Sequence, residues 1–136
     1  MKKILSMLLI IFLMGTLVAC DDSESVSEQK VTENVIFENN TLKATYTGIS
    51  EQGVMLVRLE NKTENEITVL PMDSSVDGTM IQFSSGTLAT IQGNKIFNQG
   101  WIIGSVPKEN IEFKMSVLDE QMKEIFITDV IQIYME

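Results

Sequence analysis

Histidine is absent from this chain of 136 residues, Cys20 is its only cysteine and Arg58 its only arginine. Each absence removes a class of chemistry. Without histidine there is no imidazole base for a serine or cysteine nucleophile and no imidazole to bind a metal. One cysteine cannot close an internal disulfide. Basic residues number 10 against 19 acidic ones, a net charge of −9. That balance argues against nucleic acid, where Lys and Arg supply much of the affinity by neutralising phosphates.

Paired carboxylates are the remaining route to acid–base chemistry or calcium binding. Asp73 and Asp77 flank a turn signal, and Asp119 with Glu120 occupies a second one. Neither pair has the spacing of a calcium loop, so both read as solvated turn acids. No catalytic residue, metal site or cofactor is expected, and the chain is not expected to be an enzyme.

Long apolar runs are also scarce, with one exception. Met1-Lys2-Lys3 is followed by "ILSMLLIIFLMGTLVA", Ile4 to Ala19, a basic head and an apolar body ending in small residues. This is the layout of a secretory signal. A retained transmembrane helix is the alternative, but Asp21 and Asp22 follow the run where a stop-transfer segment would be basic.

Leu17-Val18-Ala19-Cys20 resembles the lipobox of bacterial lipoproteins. The resemblance implies that a lipoprotein signal peptidase cuts between Ala19 and Cys20 and that the Cys20 sulfur carries a diacylglyceryl group. A buried thiol and an intermolecular disulfide are the alternatives for Cys20. Two acyl chains give a stable anchor where one gives only marginal binding. The expected location is the outer face of the bacterial cytoplasmic membrane, in a Gram-positive envelope.

Lys2 and Lys3 leave with the signal at residues 1–19, so 8 basic residues face 19 acids and the mature net charge is −11. The segment from Asp21 to Asn34, "DDSESVSEQKVTEN", is acidic and poor in apolar residues. Residues 20–34 are therefore expected to be a lipidated N-terminus and a disordered tether. Its span is on the order of 20 Å for a flexible chain of that length. The folded domain is expected over residues 35–136.

Within that domain the hydrophobic period is two. Ile111, Phe113, Met115 and Val117 alternate with Glu112, Lys114 and Ser116, as on a strand with one buried face. Leu42, Ala44 and Tyr46 alternate likewise, and Val54 to Leu59 is nearly continuously apolar, as suits a central strand. Asp77-Gly78 predicts a two-residue hairpin turn between Val76 and Thr79. Pro71 should lie at an edge, a bulge or a strand start.

Two more strands are expected to turn at Gly93-Asn94, and the C-terminal run from Met122 to Met135 is expected to be interrupted at Thr128-Asp129. A helix over Leu118 to Val130 is the alternative there. The sum is an all-β, antiparallel sandwich of seven or eight strands, with a small closed barrel as the other possibility.

"LENKTENEITVLPMDSSVDG", Leu59 to Gly78, with "ENIEFKMSVLDE", Glu109 to Glu120, resembles the immunoglobulin-like domain of small Gram-positive lipoproteins of unknown function. The matching positions are Asn61, Lys62, Thr63, Ile67, Thr68, Val69, Asp73, Ser75, Val76 and Gly78, then Ile111, Glu112 and Phe113; Asp77 replaces the usual Asn. The resemblance implies an immunoglobulin-like fold and no particular activity. Asn61-Lys62-Thr63 also matches a glycosylation sequon, which carries little meaning under such a signal and reads instead as a turn between strands.

Phe97 and Trp101 fall on one face of a strand and are the candidate contacts to a ligand or partner. The competing reading makes Trp101 a core residue between the sheets. The leading functional expectation is a membrane-anchored, non-catalytic protein-interaction module of the cell envelope, with an envelope or extracellular protein as partner. A lipoprotein that captures a small molecule, glycan or peptide, for a transporter, is the alternative.

Overall fold

The computed structural model describes residues 34–136 apart from Thr87. The signal, the cleavage site at Ala19 and Cys20, and nearly all of the acidic tether lie outside the described residues. Ten strands follow one another: β1 (Asn34–Glu38), β2 (Leu42–Ile49), β3 (Val54–Asn61), β4 (Ile67–Val76), β5 (Thr79–Met80), β6 (Ala89–Ile91), β7 (Ile96–Ile102), β8 (Asn110–Leu118), β9 (Glu124–Ile127) and β10 (Ile131–Tyr134). There is no helix among the described residues.

The strands form two antiparallel sheets. One runs β1-β2-β3-β7; the other runs β10-β8-β4-β5, with β6 also pairing β4 and β9 also pairing β8. The first three strands are a meander in one sheet. The chain then crosses to the other sheet at β4, returns to place β7 beside β3, and crosses again to place β8 beside β4. Each sheet thus gains a strand that arrives after the chain has visited the other sheet.

Alternation decides which side of each strand is buried. On β8, Ile111, Phe113, Met115 and Val117 are fully buried, and on β3 Met55, Val57 and Leu59 are too. They meet Leu42 and Ala44 of β2, Ile67 and Val69 of β4, and Trp101 of β7 in a single core. Phe37 of β1 stacks on Phe126 of β9 with ring centroids 5.8 Å apart. That pair closes one side of the sandwich.

The strand count exceeds the expected seven or eight because β5 and β6 are short pieces along one side of β4, and β9 and β10 are two pieces along one side of β8. Thr128 makes the second division. Its N–H donates to Met115 O and its hydroxyl accepts the Met115 N–H, both at 2.9 Å. One residue thereby satisfies Met115 and lets the chain bend between β9 and β10. The helical alternative over Leu118 to Val130 is overturned, since Glu124, Phe126 and Ile127 pair with β8 instead. The β-branched Ile125, Ile127 and Thr128 favour that outcome.

Two turn expectations divide. At Asp77-Gly78 the φ angles are 50° and 80°, as a type I′ hairpin requires, and Val76 pairs Thr79. At Gly93-Asn94 there is a turn, closed by Lys95 N–H to Gln92 O at 3.2 Å. It is not a hairpin: β6 before it belongs to one sheet and β7 after it to the other. Gly93 is needed because a Cβ there would overlap the Glu64 carbonyl. Pro71 lies within β4, opposite Met115 on β8, in the stretch left between β6 and β5 on the other side. The locally open edge requires no N–H there.

Asn61 closes the end of β3. It is 1% exposed; its amide nitrogen donates to Asn65 O at 2.7 Å and to Ile91 O at 3.0 Å, and its amide oxygen accepts the Thr63 N–H at 2.9 Å. Replacing Asn61 by Ala leaves these groups without that partner. The expected loss is roughly 2–4 kcal/mol, since a buried polar group left unpaired costs about 1–3 kcal/mol. Urea unfolding of the full chain, followed by the fluorescence of the sole tryptophan, measures it. A loss under about 1 kcal/mol would show that solvent or relaxation replaces the clasp.

Candidate functional site

Trp101 and Phe97 both point inward from β7, as alternation demands, but they differ in burial. Trp101 is 1% exposed. Its indole meets Phe113 edge-on at 5.7 Å, and Phe113 in turn lies 5.8 Å from Phe83. These rings pack together within the core, which places Trp101 between the sheets, as the competing reading of the sequence has it, and not at a surface contact. Phe97 is half-buried against the same core. Of the pair, it alone keeps a surface.

The turn acids have structural employment. The Asp77 carboxylate accepts the N–H groups of Lys108, Glu109 and Asn110 at 2.7–3.2 Å, while its own N–H donates to Asn110 O at 2.9 Å. The hairpin tip after β4 is thereby bound to the segment leading into β8. Asp119 does the same for the β8–β9 turn, accepting from Gln121 at 2.8 Å and Lys123 at 2.9 Å. Asp73, at φ 50° beside the irregularity between Met72 and Ser75, pairs with Lys114 at 3.4 Å. No group of three or more metal-ligating side chains exists among the described residues.

Backbone donors from Lys108, then Glu109 and Asn110, hold the Asp77 carboxyl below its ordinary value of 3.8. They stabilise the charged form outright.

An open groove of about 600 Å³ lies near this turn, lined by Asp77, Ile81, Gln82, Ser84, Ile102 and Ser105 among others. A second recess of about 400 Å³ lies at the end carrying Glu66, Asp119 and Glu120. Both are open to solvent. The outer face of the β3–β7 pair is more distinctive: Leu56 is 43% exposed, Ile96 57% and Ile102 48%, around Gly100. No family model, characterised protein or solved structure matches the chain.

Sequence reasoning missed the clasp made by Asn61 and the exposure of β7. A strand-ending Asn before Lys-Thr was the only signal for the first. For the second, the absence of charge from Ile96 to Ile102 was visible, but position at a sheet edge is not written locally.

A folded-state value held below 3.8 for Asp77 means that its stabilisation is complete above that pH and is lost as pH falls through the lowered value. Urea midpoints of the full chain at pH 6 and at successive steps below pH 4 should fall further for the wild type than for Asp77→Asn. Equal acid losses in the two proteins would remove Asp77 as the source.

Proposed function

We propose that the chain is an extracytoplasmic lipoprotein, held through a diacylglyceryl Cys20 on the outer face of a Gram-positive cytoplasmic membrane. Its immunoglobulin-like domain serves there as a non-catalytic protein-interaction module of the envelope, without cofactor or nucleic acid. The observation that carries this reading is Leu17-Val18-Ala19-Cys20 at the junction of an apolar run and an acidic segment. A lone cysteine in that position has an obvious use as the lipidated N-terminus.

The strand arrangement supports the immunoglobulin-like assignment. A meander into β3, the crossing to β4, and the return of β7 beside β3 and β8 beside β4 correspond to the interlocked pairs of that sandwich. The burial of Trp101, Phe113 and Phe83 against one another supports surface recognition over capture of a small molecule. Trp101, the ring a ligand would have stacked on, is committed to the core. What remains for a partner is outer sheet face, loops and strand edge.

Two measurements test the anchor. Intact mass of the membrane-extracted protein should place the mature N-terminus at Cys20 with a diacylglyceryl addition, and Cys20→Ser should leave the membrane fraction once its signal is removed. Retention of the processed Ser form in membranes would falsify lipid anchoring. Cross-linking from membranes, wild type against Cys20→Ser, then tests the interaction role. An envelope protein joined to the wild type and lost from the Ser form is expected, whereas enrichment of a free glycan or peptide would favour ligand capture.

A further inference from the structure

A strand at a sheet edge exposes hydrogen-bonding groups that pair with any suitable strand, and proteins usually guard such edges with charge, proline, bulges or brevity. Most edges here are guarded. β1 is bulged between Val35 and Phe37, β5 and β6 have two and three residues, and the β9–β10 side is broken at Thr128. β7 differs. Its seven residues, "IFNQGWI", contain no charge or proline and pair with β3 without a register shift.

The bonds at either end establish which groups face outward. Asn61 N–H donates to Lys95 O at 3.0 Å and Ile103 N–H to Gly53 O at 2.9 Å. Residues 95, 97, 99, 101 and 103 therefore turn their backbone groups to β3, and Ile96, Asn98, Gly100 and Ile102 turn theirs to the open side. Ile102 is met there by Ser84, through bonds of 2.6 and 3.2 Å. Beyond it no strand among the described residues lies alongside Ile96 to Gly100. The Gly100 carbonyl accepts from the Gln99 amide at 3.0 Å, which leaves its second lone pair available.

We propose that this edge pairs with β7 of a second copy, antiparallel, about a two-fold axis at Asn98. The two sheets then join into one of eight strands. The strand's own sequence argues for this occupant. In that register Asn98 faces Asn98, two amides able to hydrogen-bond to each other, and Ile96 faces the other copy's Gly100. Val54 and Leu56 lean over Gly100, 3.0 and 3.8 Å from where a Cβ would stand, so Ile96 of the other copy meets their apolar side chains there and not a side chain of residue 100. Ile96 and Leu56, both exposed in the single chain, cover one another across the junction.

Charge gives the second argument. A protein with net charge −9 repels its own copies, and like charges opposed in a sheet are destabilising. Ile96–Ile102 is an uncharged stretch at which two such chains can meet without opposing acids in the paired strands. The proposal does not depend on the lipid anchor.

Site-directed oxidation tests it. In the full chain carrying Cys20→Ser, the Asn98→Cys change introduces the sole thiol at the axis, where facing Cα atoms about 5.5 Å apart suit a disulfide. Mild oxidation in cells should convert most of this protein to dimer, with at least fivefold less from Thr47→Cys, an exposed site away from the edge. Adding Gly100→Val in the Asn98→Cys protein should cut dimer yield several-fold with the thermal midpoint of a single-site control, Gly100→Val alone, reported beside it. Equal yields from positions 98 and 47, or no dimer from 98, would overturn the pairing. So would an Asn98→Cys protein cross-linked mainly to a different polypeptide, which would assign the edge to a foreign strand.

Discussion

The buried amide of Asn61 is the constraint on which the arrangement of the two sheets depends. It stands where β3 ends and the chain must leave one sheet for the other, and it holds the crossing loop at Asn65 and the last residue of β6 at Ile91. Ile91 is paired in turn with Ile67, the first residue of β4. One side chain therefore ties a strand of the first sheet to the start of the central pair in the second. Since a slip of one residue exchanges the two faces of a strand, this tie also protects the inward placement of Ile67 and Val69. The absence of a Cβ at Gly93 lets the following turn lie against the same loop.

The all-β class and the buried faces were legible because period-two alternation is local. Ile111, Phe113, Met115 and Val117 announce their own burial, and Asp77-Gly78 announces its own turn. What was not legible depends on partners distant in the chain. Gly93-Asn94 is a good turn in isolation, and nothing near it says that its flanking strands enter different sheets. The break at Thr128 was readable as an interruption, but its cause, a two-way bond to Met115, requires the neighbouring strand. For the site, alternation correctly put Phe97 and Trp101 on one face and could not distinguish an inner face from an outer one.

The acidic residues show how composition and geometry answer different questions. Net charge describes the chain's long-range behaviour toward nucleic acid and its own copies. Asp77 and Asp119 act at short range, each gathering backbone N–H groups that a turn would otherwise leave to solvent. Substituting either for solubility would therefore loosen a loop, whereas the same change at an acid without such bonds would alter charge alone.

The interlocked order of the strands also sets a kinetic schedule. Val57 must find Gln99 and Val69 must find Val117, so the native ladders join segments far apart in sequence, a topology associated with folding over milliseconds to seconds. A chain delivered from its N-terminus can first assemble only the β1–β3 meander, with Met55, Val57 and Leu59 still uncovered. The core becomes complete only when β8, and after it Ile131 and Ile133 of β10, arrive. During that interval the half-formed sheet is sticky, and whatever conveys the growing chain must keep it from its neighbours until the second crossing is made.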